Sequence, residues 1–315
     1  MKTFYTLLIT GIALPGFSQQ LPLFTQYLEY AGIVNPASVP TDFLWFDKKL
    51  SFGGSYRRQW INDEDGPATI VARGDYVWEN RNRTTTPILG GYFMHDKVGR
   101  VGTTGFYLRA AGLISDEPDR YGISVGLAAG GVYYALDLND ARLHDPDDIL
   151  ALENYNQFFP DVGLGVHGYT TIYDNHVIYA GLSMPQAFGL DVRFRNEKGD
   201  LSVQRVRHLY GTVGYHIDTG DSPNETFYEF YSWLRYVKPV GISYDVNFRW
   251  KCTENFFFGA GAGNSGNIHS EFGLWLEGEN DYGYRIGFGA DLPIFSEVSS
   301  YYGTSIEFNF ACGID

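Results

Sequence analysis

Seven histidines (His95, His144, His167, His176, His208, His216 and His269) stand among many serines and aspartates in this 315-residue chain. Such residues could build a Ser–His–Asp hydrolase, which needs a nucleophile within hydrogen-bond reach of a histidine held by a third group. None of the seven lies in a Gly-x-Ser-x-Gly or His-Glu-x-x-His context, although strands distant in sequence can still bring such groups together. The run Gly259-Ala260-Gly261-Ala262-Gly263-Asn264-Ser265-Gly266 superficially resembles a phosphate loop. It lacks the Lys-Ser/Thr that would reach phosphate and Mg²⁺, so it reads as a strand with small inward residues ending in an Asn-Ser-Gly turn. Asp140, Asp145, Asp147 and Asp148 could offer oxygens to Ca²⁺, but the EF-hand glycine and terminal glutamate are missing. Solvated loop charge is the reading adopted. Cys252 and Cys312 sit in no Cys-x-x-Cys, which leaves zinc and thioredoxin-type chemistry without ligands. No catalytic, cofactor or metal site is assigned, and the expectation is a protein that is not an enzyme.

Another set of charges is more informative: Arg57, Arg73, Asp75, Glu79, Asp245, Arg249, Arg285, Asp291 and Glu307. They fall on one side of segments that alternate with period 2. In 239–251, Val240, Ile242, Tyr244, Val246, Phe248 and Trp250 share one face, opposite Gly241, Ser243, Asp245, Asn247, Arg249 and Lys251. The stretch 282–292 repeats this, with Tyr284, Ile286 and Phe288 against Arg285, Gly287, Gly289 and Asp291. The apolar faces begin or end in Tyr and Trp, as lipid-facing strands do at both membrane interfaces. The other face carries glycine and isolated charges instead of the dense Lys, Glu and Thr of a solvated sheet. The nine charged residues therefore point into a lumen, where ionised groups must be paired or wet. Their mixed signs suggest a cross-linked, filled interior, unlike the single-sign lining of a selective pore.

The elements that position them read as fourteen strands, 49–60, 68–79, 87–95, 100–112, 120–137, 161–173, 175–184, 203–217, 226–236, 239–251, 254–263, 267–277, 282–292 and 302–311. The expected fold is all-β, a transmembrane antiparallel up-and-down β-barrel of about 14 strands. Composition agrees. Charged residues reach only 19%, below the ~25% of soluble domains, while aromatics reach 17%. Mean hydropathy is −0.20, too polar for a helical membrane protein but natural for alternating strands. No later segment approaches the ~20 apolar residues of a spanning helix, so a closed barrel is the membrane solution left. The net charge of −14 argues against nucleic acid, which needs clustered Lys and Arg.

Residues 1–18 read as a signal peptide. Lys2 is the positive start, Phe4 to Leu14 the apolar stretch, and Gly16 and Ser18 the small residues before a cut at Gln19. Residues 19–48 form an irregular lead-in or plug, because Pro22, Pro36 and Pro40 forbid a long regular element, and 49–315 is the barrel. With both termini periplasmic, the longest connections, 138–160 and 185–202, fall outside. Cys252 and Cys312 would sit four strands apart, too far to bridge.

The mature start, Gln19-Gln20-Leu21-Pro22-Leu23-Phe24-Thr25-Gln26-Tyr27-Leu28 with Asn35-Pro36-Ala37, resembles the PorP/SprF family of type IX secretion outer-membrane proteins of Bacteroidota. Tyr56-Arg57-Arg58-Gln59-Trp60, Gly66-Pro67-Ala68-Thr69, Pro160-Asp161-Val162-Gly163 and Arg207-His208-Leu209-Tyr210 extend the likeness over the mature chain. At the last strand Ile306 stands where the family pattern usually has a histidine before the glutamate. The resemblance implies an outer-membrane scaffold, acting in export or surface anchoring of cargo such as adhesins. It also implies a periplasmic, peptidoglycan-binding partner of the PorE type, with outer-membrane lipid around the barrel. The plug would use Phe24, Thr25, Gln26, Tyr27, Asn35 and Pro36, with Arg57 and Arg73 pairing with Asp75, Glu79 or the lead-in. Two alternatives remain: an outer-membrane transporter for small molecules, similar to fatty-acid uptake barrels, and a barrel hydrolase with its residues at one rim.

Overall fold

A computed structural model describes residues 24–79, 84–136, 155–188, 191–196, 199–204, 206–220, 226–238, 241–278, 282–294 and 303–315. The expected signal peptide, the first lead-in residues up to 23 and the aspartate-rich stretch with His144 lie outside them. Sixteen strands occur among the described residues, and fourteen close into one antiparallel barrel. They are β1 (Leu50–Arg58), β2 (Ala68–Val77), β3 (Thr85–Val98), β4 (Val101–Ile114), β5 (Tyr121–Leu136), β6 (Tyr155–Ile172) and β7 (His176–Gln186). After the hairpin strands β8 (Asp191–Asn196) and β9 (Gly199–Gln204) follow β10 (His208–Asp218), β11 (Phe227–Val237), β12 (Gly241–Lys251), β13 (Phe256–Gly263), β14 (Asn267–Glu277), β15 (Gly283–Pro293) and β16 (Ser305–Ile314). Each barrel strand pairs with its neighbour, and β1 pairs with both β2 and β16, placing Arg57 opposite Glu307. Closure leaves no unpaired edge, which hydrocarbon would penalise.

The alternation sorts as the sequence predicts. On β12, Asp245, Asn247, Arg249 and Lys251 are buried inside while Ile242, Tyr244, Val246 and Trp250 are exposed outside. Most barrel strands run 9–14 residues, against roughly 9–11 for a tilted spanning strand.

Three expectations need correction. Residues 203–204, expected to begin a barrel strand, belong to β9, which pairs with β8 in a separate ribbon; the barrel strand starts only at His208. The connection expected over 185–202 therefore holds a hairpin. The connection expected over 138–160 is shorter, because β6 begins at Tyr155, where it pairs with Leu136 at the end of β5. Pro160 lies within this added stretch. It sits in β6 opposite Gly131, on a stretch that β7 does not reach, since their pairing starts only at Leu164. Proline is tolerated where a strand is bonded on one side.

The lead-in is not wholly irregular. A 3₁₀ turn (Tyr27–Tyr30) continues into α1 (Ala31–Val34), and α2 covers Thr41–Phe46 after Pro40. Asp47 closes α2 in the left-handed conformation, φ 53°, turning the chain toward β1.

The plugged lumen as candidate functional site

Residues 24–43 are almost entirely buried, with Gln26 and Ala37 at 0% exposure. They descend through the barrel. Thr25 meets Asp291 near the far end of β15, while Phe46 packs on Trp275 and Phe227 at the end that holds the C-terminus. Three tiers of contacts tie this plug to the wall.

In the tier farthest from the termini, Glu307 accepts the backbone N–H of Thr25 (2.9 Å) and of Gln26 (3.2 Å) and the Tyr30 hydroxyl (3.2 Å). Arg57 bridges Glu307 (3.2 Å), Asp291 and the Thr25 hydroxyl. The Thr25 hydroxyl in turn donates to Asp291 at 2.8 Å. A buried carboxylate with this many donors is compensated for its lost hydration. His269 lies between Asp291 (2.7 Å) and Asp245 (3.0 Å), and Asp245 pairs with Arg235.

The middle tier holds the corner Asn35-Pro36-Ala37. Asn35 Nδ2 donates to the Val166 carbonyl at 2.9 Å, and its Oδ1 accepts the N–H of Ala37 at 3.0 Å. Arg109 donates to the Pro36 (3.0 Å) and Ser38 (2.9 Å) carbonyls and binds Asp75 at 2.6 Å. The wall is cut back to admit this corner: a Cβ on Gly126 would overlap Pro36 and Ala37, and one on Gly165 would overlap Asn35. Here the sequence makes a close approach possible through glycine.

The third tier centres on Glu29 and Asp42, both from the plug. Glu29 pairs with Arg285, with Arg249 (3.3 Å) and with Arg73 (3.7 Å); Asp42 pairs with Arg285 (2.8 Å) and Arg73 (3.8 Å) and accepts from Ser51 at 2.6 Å. Burial alone would raise the Asp42 carboxyl, but the guanidiniums of Arg285 and Arg73 outweigh it and hold the group below its ordinary value. Burial and the nearby carboxylates keep the hydroxyls of Tyr27 and Tyr30 neutral well above the usual phenol range.

Aromatic packing fills the remaining space. Phe24 stacks on Tyr30 at 4.1 Å between centroids, and Tyr27 packs against Tyr231 (5.0 Å) and Trp233 (5.2 Å). Between plug and wall, beside Tyr27, Val34, Trp45 and Tyr179, a cavity of about 30 Å³ remains. That holds a water or two, against the ~300–1,000 Å³ of a drug-sized ligand pocket.

Of the charges singled out in the sequence, Arg57, Arg73, Asp75, Asp245, Arg249, Arg285, Asp291 and Glu307 belong to these tiers. Glu79 does not. It lies two residues past the end of β2, half-buried, and pairs with Lys49 at 3.6 Å. Arg57 pairs with neither Asp75 nor Glu79 in the described contacts but does meet the lead-in at Thr25, beside Glu307 and Asp291, and Arg73 meets Asp75 together with Glu29 and Asp42 of the lead-in. Sequence reasoning missed Arg109, Arg235, Glu271 and His269, and the plug's own Glu29 and Asp42. The parity of β14, with Gly273 and Trp275 on the same face as His269 and Glu271, could have found two of them. Nothing periodic announces Glu29 or Asp42. The glycine run of β13 is not a ligand loop: Gly259, Gly261 and Gly263 leave room for the side chains of Glu271, Asn247 and Asp245. The geometry holds a segment in place, and Thr25 donates to a carboxylate that is already ion-paired, not to a base poised to activate it.

Among solved structures, the CymD monoaromatic hydrocarbon channel superposes with a TM-score of 0.52 at 10% identity, over 92% of this chain and 93% of that one. A Pseudomonas aeruginosa FadL homologue gives 0.54 at 9% identity, over 89% and 92%. At such identities the likeness is one of fold, that of an outer-membrane barrel. No curated protein matches the sequence. The model of the type IX secretion system membrane protein PorP/SprF matches residues 16–311. With that match over nearly the whole length, and a barrel of the outer-membrane kind beneath it, this chain belongs to the PorP/SprF family.

Proposed function

We propose that the protein is a closed, non-enzymatic barrel of the type IX secretion machinery. It serves as a scaffold in export or surface anchoring of cargo such as adhesins, in concert with a periplasmic PorE-like, peptidoglycan-binding protein. Residues 1–18 direct export, the termini and short turns face the periplasm, and the ribbon β8–β9 faces outward. One observation carries this reading. The lumen is occupied by the chain's own residues 24–46, bonded to the wall from one end to the other, so the barrel offers a surface and not a passage. A transporter of small molecules needs a ligand-sized tunnel, and beside Tyr27, Val34 and Trp45, midway along the plug, the free space between plug and wall is about 30 Å³.

Two measurements test the proposal. In planar bilayers the purified protein should show no steady conductance, and crosslinking in native outer membranes should recover a periplasmic protein. Steady porin-like channels would remove the closed-scaffold reading.

A further inference from the structure

At the terminal end of the barrel, a second cavity of about 250 Å³ opens between α2 and strands β14, β15 and β16. Lys48, Arg285, Glu277, Trp275, Phe46 and Tyr282 line it. Its floor is shaped for one side chain. Gly283 and Gly313 face each other across β15 and β16, and Lys48 lies over both: a Cβ on Gly313 would come within 2.9 Å of Lys48 Cγ, and one on Gly283 within 3.8 Å of Cε. A side chain at Gly313 would push the lysine aside, whereas one at Gly283 would only touch it.

The charges in this cavity are unevenly satisfied. Asp42 is spent on Arg285, Arg73 and Ser51. The neighbouring Lys49 pairs with Asp315 at 2.9 Å. Lys48 has Asp315 in electrostatic reach but forms no ion pair within 4 Å among the described residues, and Arg285 Nε, buried on the same wall, has no hydrogen-bond acceptor there. Glu277 sits at the strand end on the cavity's border as an exposed carboxylate.

We infer that this mouth pocket, with the Lys48 ammonium held over Gly283 and Gly313, receives an acidic peptide segment of the periplasmic partner. The inference rests on the partner reading above. A side-chain carboxylate of the segment takes the Lys48 ammonium, and Glu277 accepts a backbone N–H of the same segment. The pair asks for an anion and a donor side by side, which a peptide supplies as a side-chain carboxylate and a backbone N–H. A phospholipid headgroup is unsuited because Lys48 lies on the lumen side of the strand ring. Trp275 and Phe46 provide the apolar floor on which an anchoring segment desolvates.

The test uses the full protein in its native membrane, with a photoreactive benzophenone amino acid replacing Tyr282. The expected adduct joins position 282 to a periplasmic protein, at a peptide containing Asp or Glu. Lys48→Glu should lower its yield about tenfold, Lys48→Arg should keep it, and reversing the mapped acid to lysine should restore it in Lys48→Glu. Heat-modifiable migration of each variant reports that the barrel is folded. An adduct insensitive to Lys48→Glu, a peptide without an acid, or no adduct at position 282 overturns the inference. If crosslinking elsewhere on the barrel still recovers a periplasmic protein, the partner reading stands while this pocket falls. If no periplasmic protein is recovered from any position, both fall.

Discussion

Glu29→Ala gives the sharpest test of a plug held by charge. Glu29 is 3% exposed and faces three guanidiniums: Arg285 in direct contact, Arg249 at 3.3 Å and Arg73 at 3.7 Å. Breaking a buried ion pair by removing one partner costs about 3–5 kcal/mol. Each arginine keeps a second carboxylate, since Arg249 binds Glu271 at 2.8 Å, Arg285 binds Asp42 at 2.8 Å and Arg73 lies 3.8 Å from Asp42 and Asp75. The cost should therefore sit near the lower end, about 3 kcal/mol, which raises the population of the released plug roughly a hundredfold. Single-channel recording should show brief openings that the parent lacks, and protease should cut the lead-in of a barrel still folded by heat-modifiable migration. Lys49→Ala is the reference. It breaks two contacts outside the plug, with Asp315 at 2.9 Å and with Glu79 at 3.6 Å, each worth about 0.2–1 kcal/mol at a partly exposed site, and should leave the plug closed. If Glu29→Ala is as closed and protease-resistant as the parent, or if Lys49→Ala opens equally, buried charge does not hold the plug.

Two further predictions follow from the same geometry. Gly261→Val should block folding or strongly destabilise the barrel, because its Cβ would overlap the Asn247 carboxamide and the Val246 carbonyl, whereas Ala260→Val, one residue along on the exposed face, should be tolerated; denaturant midpoints of heat-modifiable migration compare them. The plug should also loosen at both pH extremes. Asp42 is held below its ordinary carboxylate value, so its contribution is complete above about pH 4 and fades as pH falls through the lowered value. The buried Tyr27 and Tyr30 hydroxyls are held above the phenol range, so their contribution is complete below about pH 10 and fades above it. Conductance against pH should be flat between these limits, and Asp42→Asn should shrink the acid-side change; an unchanged acid limb in that variant refutes the assignment.

Amino-acid order by itself determined the barrel. On β12 and β15 the alternation is strict, and a one-residue slip would turn Arg249 or Arg285 into lipid, so register and inward charge are legible before any contact is known. The same parity gathers eight of the nine selected charges into the plug contacts, while Glu79, past the end of β2, pairs with Lys49 instead. Tertiary structure alone decided the partners. That Glu307 caps the N–H groups of Thr25 and Gln26, more than 280 residues away, or that Gly126 and Gly165 form the recess for Asn35-Pro36-Ala37, depends on how the ring closes and how deep the lead-in runs. The plug has no period to read: its helices are one or two turns long, and its Glu29 and Asp42 acquire meaning only when Arg73, Arg249 and Arg285 converge on them. Local spacing encodes which way a side chain points in a strand, but what it meets across a lumen is set by closure.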